Sequence, residues 1–432
     1  MATAAVQLPE GWNINESEAV MSNDPDKIYK EWNFLRSACP VAKVDVHLTE
    51  GGGHGYWMLT KYEDIKTAAS DSNTFISSKC AIVPSDPRGI RRPPLKFDGK
   101  QHTPYRTALD RTLKASRMKR LEPLLEQHAE IQLQKLLDKG HGDICGDFGG
   151  KYCANIEKEW LNLSDASATH LEENVYPFVQ SWRTGDWEAV KKASDGFYVI
   201  AKDVMADRRH TPRNPEEDPA SSLLLETDTE GNPLDEYNLI GAVRQALIVA
   251  MIAPSLIIGA ITRHLSIHKH LQRKLRNDPS LLPSAIEEFI RLYTPYRGFA
   301  RTPICPVSFQ GVSIPADEPL TLTYAAANRD PSQFPDPDEF IMDRENIATH
   351  LGFGRGKHRC AGMPLARLAL KKYLEVLLRR TTDFDVEGEC EFARLPEIGL
   401  IACPMRFQVA GGDRAQTIME DGERSDACRG SS

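Results

Sequence analysis

The chain has 432 residues, 41% hydrophobic and 26% charged, with a formal net charge of −8; this is the composition of a soluble globular protein and excludes fibrous and disordered classes. The acidic balance disfavours general nucleic-acid binding. Nine cysteines with no CxxC pair point to a reducing compartment, not a disulfide scaffold.

The opening stretch MATAAVQLPEGWNINESEAV lacks the basic flank and apolar run of a secretion signal, so a cytoplasmic protein without a membrane anchor is expected. Helical periodicity then dominates. It predicts helices over Pro25–Arg36, His102–Leu113, Arg117–Leu137, Trp187–Arg209, Asp235–His268, Leu282–Leu292 and Met363–Leu378. Strand-like runs are shorter: Gly55–Leu59, Val307–Phe309, Leu320–Tyr324 and Arg406–Val409. The fold class that follows is mainly α (α+β), with small β-sheets. Thr211–Pro219 reads as an exposed loop and Arg329–Arg344 as a long ordered meander. No repeat or linker divides the chain, so 1–410 is expected to be a single domain and 411–432 a disordered tail. The apolar run Ala246–Ile261 is shorter than a bilayer requires and is interrupted by Pro254 and Ser255, which predicts a buried central helix.

Chemistry concentrates near the C-terminal third. In Phe353-Gly354-Arg355-Gly356-Lys357-His358-Arg359-Cys360-Ala361-Gly362, two glycines let the backbone fold tightly around one sulfur. Cys360 then precedes a strongly helical segment, where free N–H groups and the helix dipole favour a thiolate. Taken alone, such a loop also suits a buried structural thiol, a redox sensor or an anion-binding turn. The whole string resembles the FGxGxHxCxG loop of cytochromes P450 at every specified position. The resemblance implies a large helical core with small sheets around a buried haem b, and Cys360 as its axial iron ligand.

Other resemblances follow in the family's order. Glu288 and Arg291 of Glu288-Phe289-Ile290-Arg291 match the ExxR pair, and Arg344 matches the meander arginine that completes a structural triad. Ala327-Asn328-Arg329-Asp330-Pro331 resembles the ANRDP turn. His102 and Arg106 match HxxxR; with Arg301, ten residues before Gly311, and His358, they are the implied partners of the haem propionates. Phe353, Gly354 and Gly362 complete the implied cofactor-binding set.

The distal helix departs from the family. Where AGxDT or AGxET is usual, Met251 stands for Gly, Ala253 for the acid and Pro254 for the Thr. Pro254 should free the Ala250 carbonyl and bend the helix; with Ser255 it could hold a water that replaces the proton relay. Pro254 and Ser255 thus join Cys360 as catalytic candidates, with a polar group on the substrate as a second proton source.

Substrate contacts are expected from the Cys80–Lys96 loop, Phe178–Trp187, Leu247, Met251, Ile398 and Leu400, which suit a lipophilic or aromatic molecule. Residues 351–380 carry eight Lys or Arg against one acid, Glu375. An external ferredoxin or flavodoxin-like reductase, passing on NAD(P)H electrons, is therefore expected to dock near Arg355, Lys357, Arg359, Lys371 and Lys372. The leading expectation is an O2-dependent monooxygenase. The alternatives are an atypical member that couples, desaturates, rearranges or uses peroxide, and a non-catalytic haem-binding protein.

Overall fold

The computed structural model describes residues 17, 22–44, 55–79, 92–184 and 186–411. Residues 412–432 of the expected tail and 80–91 of the Cys80–Lys96 loop lie outside these, as does Gly185 of the Phe178–Trp187 segment.

In chain order the helices are α1 (Pro25–Ala38), α2 (Tyr62–Ser70), α3 (Gly99–Arg111), α4 (Ala115–Leu137), α5 (Lys151–Leu161), α6 (Asp165–Thr184), α7 (Trp187–His210), α8 (Pro219–Leu224), α9 (Glu236–Ile267), α10 (Lys269–Asn277), α11 (Leu282–Leu292), α12 (Tyr324–Ala327) and α13 (Met363–Arg380). The strands are β1 (Val41–Val44), β2 (Tyr56–Leu59), β3 (Phe75–Ile76), β4 (His141–Asp143), β5 (Phe299–Pro303), β6 (Val307–Phe309), β7 (Val312–Ile314), β8 (Leu320–Leu322), β9 (Thr381–Val386), β10 (Glu391–Phe392), β11 (Leu400–Ala402) and β12 (Pro404–Val409). The five-stranded sheet runs β1-β2-β8-β5-β3, a three-stranded sheet runs β4-β12-β9, and β6-β7 and β10-β11 are hairpins. All strands pair antiparallel except β2 with β8, where Trp57 faces Leu320.

The main core lies between α4, α5, α7, α9, α11 and α13. Helix α9 runs through it because it is apolar almost all round, a pattern that only burial on several faces satisfies. Asp235 starts it by accepting the Asn238 N–H at 3.1 Å. By length and composition α9 could cross a membrane, but Leu247, Met251, Ile258 and Ile261 are at most 1% exposed against other parts of the protein. Helix α11 is amphipathic and turns Glu288 and Arg291 inward with Ile286, Phe289 and Ile290. Glycine opens α13 at its N-cap, Gly362, followed by a proline in the first turn.

Candidate active site

The cysteine loop is fixed from three directions. Gly354 and Gly356 take φ of +67° and +72°, which only glycine adopts without strain. A Cβ at 356 would also strike the Ala69 carbonyl, and one at 354 would lie 3.4 Å from the Tyr324 hydroxyl. The Cys360 N–H donates to Phe353 O at 2.8 Å. The Arg106 guanidinium donates to the Lys357 carbonyl at 3.4 Å and to that of Arg359.

Burial pushes the Cys360 thiol up, opposed by the Gly362 and Met363 N–H groups and the Arg106 and Arg359 charges. The helix start that the sequence predicts is in place, and its N–H groups favour negative charge on the sulfur against the cost of desolvation. A thiolate here needs one further cation, and a bound iron is such a cation. The sulfur's surroundings fit a residue that would hold the iron of a haem.

Beside the loop lies a cationic corner. His102 and His358 meet edge to face with ring centroids 4.7 Å apart, and Arg301, 4% exposed, reaches the Ser77 hydroxyl at 3.3 Å. Asp98, which the sequence reading missed, organises the corner. It accepts the Ser77 and Ser78 N–H groups at 2.9 Å and sits 3.3 Å from His358 Nε2. Its position just before α3, as Asp98-Gly99, was the available signal. One carboxylate among two imidazoles and a buried guanidinium leaves donors for two more carboxylates, which fits haem propionates. Arg106 takes a different part from the one expected: besides the loop carbonyls it pairs with Asp110 at 2.8 Å, so it braces the cysteine loop.

Burial, then His358 and Arg106, lower His102 to about 4, and burial beside His268 lowers His264 to about 3, both from 6.5. The unfolded chain therefore binds more protons than the fold below pH 6.5. This contribution to stability is complete above that pH and is lost as the pH falls toward about 4. The apoprotein should lose about 1–2 kcal/mol per histidine between neutral pH and about pH 5, and His102→Gln should make its melting profile shallower. A melting temperature that does not change across that range would contradict the assignment.

On α9 the stripe that stays partly accessible is Ala246, Val249, Ala250, Ala253 and Pro254, with Val249 37% exposed in the middle of a core helix. Leu247 and Met251 face away from it, buried at 0% and 1% in the main core. Ile398 and Leu400, 4% and 2% exposed, are likewise core residues. Helix α9 continues unbroken through Pro254. The Ser255 hydroxyl donates to its own helix at Ile252 O, 2.9 Å, and a Cβ on Gly149 would lie 3.3 Å from Ser255 Cβ. The serine faces the 144–150 segment, away from the stripe.

Tyr296, also missed in the sequence, is half-buried. Burial, then Glu397 and the Cys360 sulfur, raise its phenol, which puts the ring within electrostatic reach of the cysteine. Phe299 stands 5.3 Å from it and Tyr324 6.1 Å beyond, back toward Gly354.

The expected triad is present. Arg291 binds Glu288 through Nε and Nη2, both at 2.7 Å, and Arg344 Nε reaches Glu288 at 2.8 Å. The basic island is smaller than expected. Lys372 is 7% exposed and pairs with Glu122, Glu126 and Glu375, and Lys371 lies 3.6 Å from Glu122 and Glu375. Helix α4 thus brings acids that the local charge count omits. Arg355, Lys357 and Arg359 are exposed and have no carboxylate partner among the described residues.

The cytochrome P450 family model matches residues 257–389. The mycinamicin IV hydroxylase/epoxidase of Micromonospora griseorubida is 29% identical over 336 residues, 76% of this chain and 82% of the relative. Cytochrome P450 107B1 of Saccharopolyspora erythraea is 30% identical over 340 residues, again 76% and 82%. Among solved structures, CYP108D1 of Novosphingobium aromaticivorans superposes with a TM-score of 0.81 at 23% identity, covering 92% of this chain and 98% of that one.

Proposed function

The chain belongs to the cytochrome P450 family, and from that premise we propose that this haem-thiolate monooxygenase oxidises a lipophilic small molecule of secondary metabolism, with Cys360 as the residue that would hold the haem iron. Similar proteins are named as hydroxylases and epoxidases, which favours oxygen insertion over the coupling, desaturation or peroxide-driven alternatives. When bound, haem supplies the iron that activates dioxygen, using NAD(P)H electrons delivered by a separate redox partner.

The observation that carries the reading is one half-buried sulfur, capped by the Gly362 and Met363 N–H groups, beside a corner holding His102, His358 and Arg301. The chain's own parts divide the work. The Gly362 and Met363 amides hold charge on the sulfur. The cationic corner orients the cofactor's carboxylates, and Asp98 fixes His358 in that corner. Val249, Ala250, Ala253 and Pro254 present an apolar wall that excludes water and selects lipophilic substrates. Ser255 back-bonds within α9, so protons come through solvent or a polar group on the substrate. Tyr296 holds its phenolic proton over the whole neutral range, within electrostatic reach of the Cys360 sulfur. A cytoplasmic location belongs to the same reading and is supported by the burial of α9 and the free thiols among the described residues.

The test is turnover under isotopically labelled dioxygen with a ferredoxin system. One labelled oxygen in the product is expected, and an unlabelled product would replace insertion with a non-inserting oxidation. For docking, the reversals Arg355→Glu and Lys357→Glu together should raise the KM for an acidic ferredoxin about tenfold at low salt, with the haem spectrum unchanged. An unchanged KM would move the docking face elsewhere.

A further inference from the structure

Away from the active site, three sulfurs meet at the end of the β10–β11 hairpin. Cys390 Sγ lies 3.7 Å from Cys403 Sγ, and Cys403 Sγ lies 3.5 Å from Met405 Sδ. The register makes this a cross-strand pair. Glu391 faces Ala402 in the antiparallel ladder, so the next rung outward sets Cys390 opposite Cys403. Directly opposed positions of antiparallel strands fall within the Cα separation that a disulfide accepts.

The two thiols are not equivalent. Cys390 lines an open cavity of about 540 Å³ between the end of α9 at Arg263 and Ser266 and the turn at Gly388 and Glu389. Cys403 is 0% exposed. Its backbone is pinned, with its N–H on Asp143 Oδ1 at 2.7 Å and its carbonyl accepting from Ile144 N at 3.1 Å. Cys390 is thus the thiol a small oxidant reaches first, and Cys403 is the fixed thiol waiting behind it.

We propose that Cys390 and Cys403 form a peroxide-responsive pair that closes into a cross-strand disulfide. The Cys390 sulfur attacks one oxygen of hydrogen peroxide, the O–O bond breaks, and a sulfenic acid forms as water leaves with the thiol proton. The Cys403 sulfur then displaces the hydroxyl, which departs as a second water with the Cys403 proton. Two thiols are oxidised, one peroxide is reduced to two waters, and the chain loses two hydrogens. Closure requires the sulfurs to approach by about 1.7 Å, a shift that falls on Cys390, in the turn between β9 and β10.

The bond would act on α9. Leu400 of β11 packs beside Gly259, where an added Cβ would lie 3.2 Å from Leu400 Cβ. Tying residue 390 to 403 closes the hairpin that presses Leu400 on the helix. A rise in melting temperature of about 3 °C is expected.

The holoenzyme, checked by its ferrous–carbon monoxide spectrum, is treated with hydrogen peroxide, alkylated and digested with trypsin. Cleavage after Arg380, Arg394 and Arg406 separates the two cysteines into peptides 381–394 and 395–406. The expected result is a linked pair about 2 Da lighter than the two free peptides together, split again by dithiothreitol. Cys390→Ser should abolish the link, and Cys403→Ser should leave a sulfenic acid at Cys390 that dimedone traps. Both peptides recovered as alkylated thiols, Cys390 oxidised to the sulfinic acid without a link, or Cys403 joined instead to the Cys145 peptide would each overturn the proposal.

Discussion

Replacing Cys360 with serine is expected to reduce monooxygenase turnover to background while leaving the fold intact. Serine preserves the loop's backbone bond from residue 360 to Phe353 O, 2.8 Å, and leaves the positive φ angles of Gly354 and Gly356 untouched. What it removes is the anion. A hydroxyl in a site that already pushes a thiol up by burial stays protonated, so electron donation toward the opposite ligand position is lost. The measurement is the ferrous–carbon monoxide spectrum, in which the variant should lose the red-shifted band that gives the family its name. The control is Cys153→Ser, which alters a fully buried thiol of α5 and should keep the band. A Cys360→Ser protein that retained both band and turnover would remove the thiolate from the mechanism.

The cysteine loop and the Glu288–Arg291–Arg344 set were legible because each is a local string whose spacing already fixes its geometry. Leu282–Leu292 was legible to the residue, since its apolar face repeats cleanly against a polar one. Helix α9 was legible as an element but not in its phase. A helix apolar all round has no stripe to mark which side is buried, so nothing in the sequence separates Leu247 and Met251, at most 1% exposed, from Val249 at 37%. Helix α10 escaped because Lys269–Asn277 is polar apart from Leu271 and Leu275. The β2–β8 pairing joins Trp57 to Leu320, and no local pattern reports a partner so far along the chain. The same holds for charge. Two of the three acids that neutralise Lys372 lie on α4, 246 residues earlier in the case of Glu126.

Glu288→Ala should be the most damaging change outside the cysteine loop, acting through assembly and not through chemistry. The carboxylate is 0% exposed and accepts from Arg291 Nε and Nη2, from Arg344 Nε and from the Ile341 N–H at 3.0 Å. Removing it leaves two buried guanidinium groups without a counter-charge, a loss of about 3–5 kcal/mol, out of a total stability that for a domain is only about 5–15 kcal/mol. The damage should travel along a defined path. Arg291 also donates to the Asn328 and Pro337 carbonyls at 2.8 and 2.7 Å, and Asn328 Oδ1 accepts the Leu351 N–H at 2.6 Å, two residues before Phe353. Loosening the triad therefore frees the entry to the cysteine loop, and the variant should be recovered with little haem and a lowered melting temperature. Glu63→Ala is the comparison, since that exposed carboxylate holds Lys66 at 2.9 Å on the surface of α2 and its loss should cost less than about 1 kcal/mol. Haem content per chain, measured for both variants, separates the cases. A Glu288→Ala protein with a full complement of haem would show that the meander holds the loop without the triad.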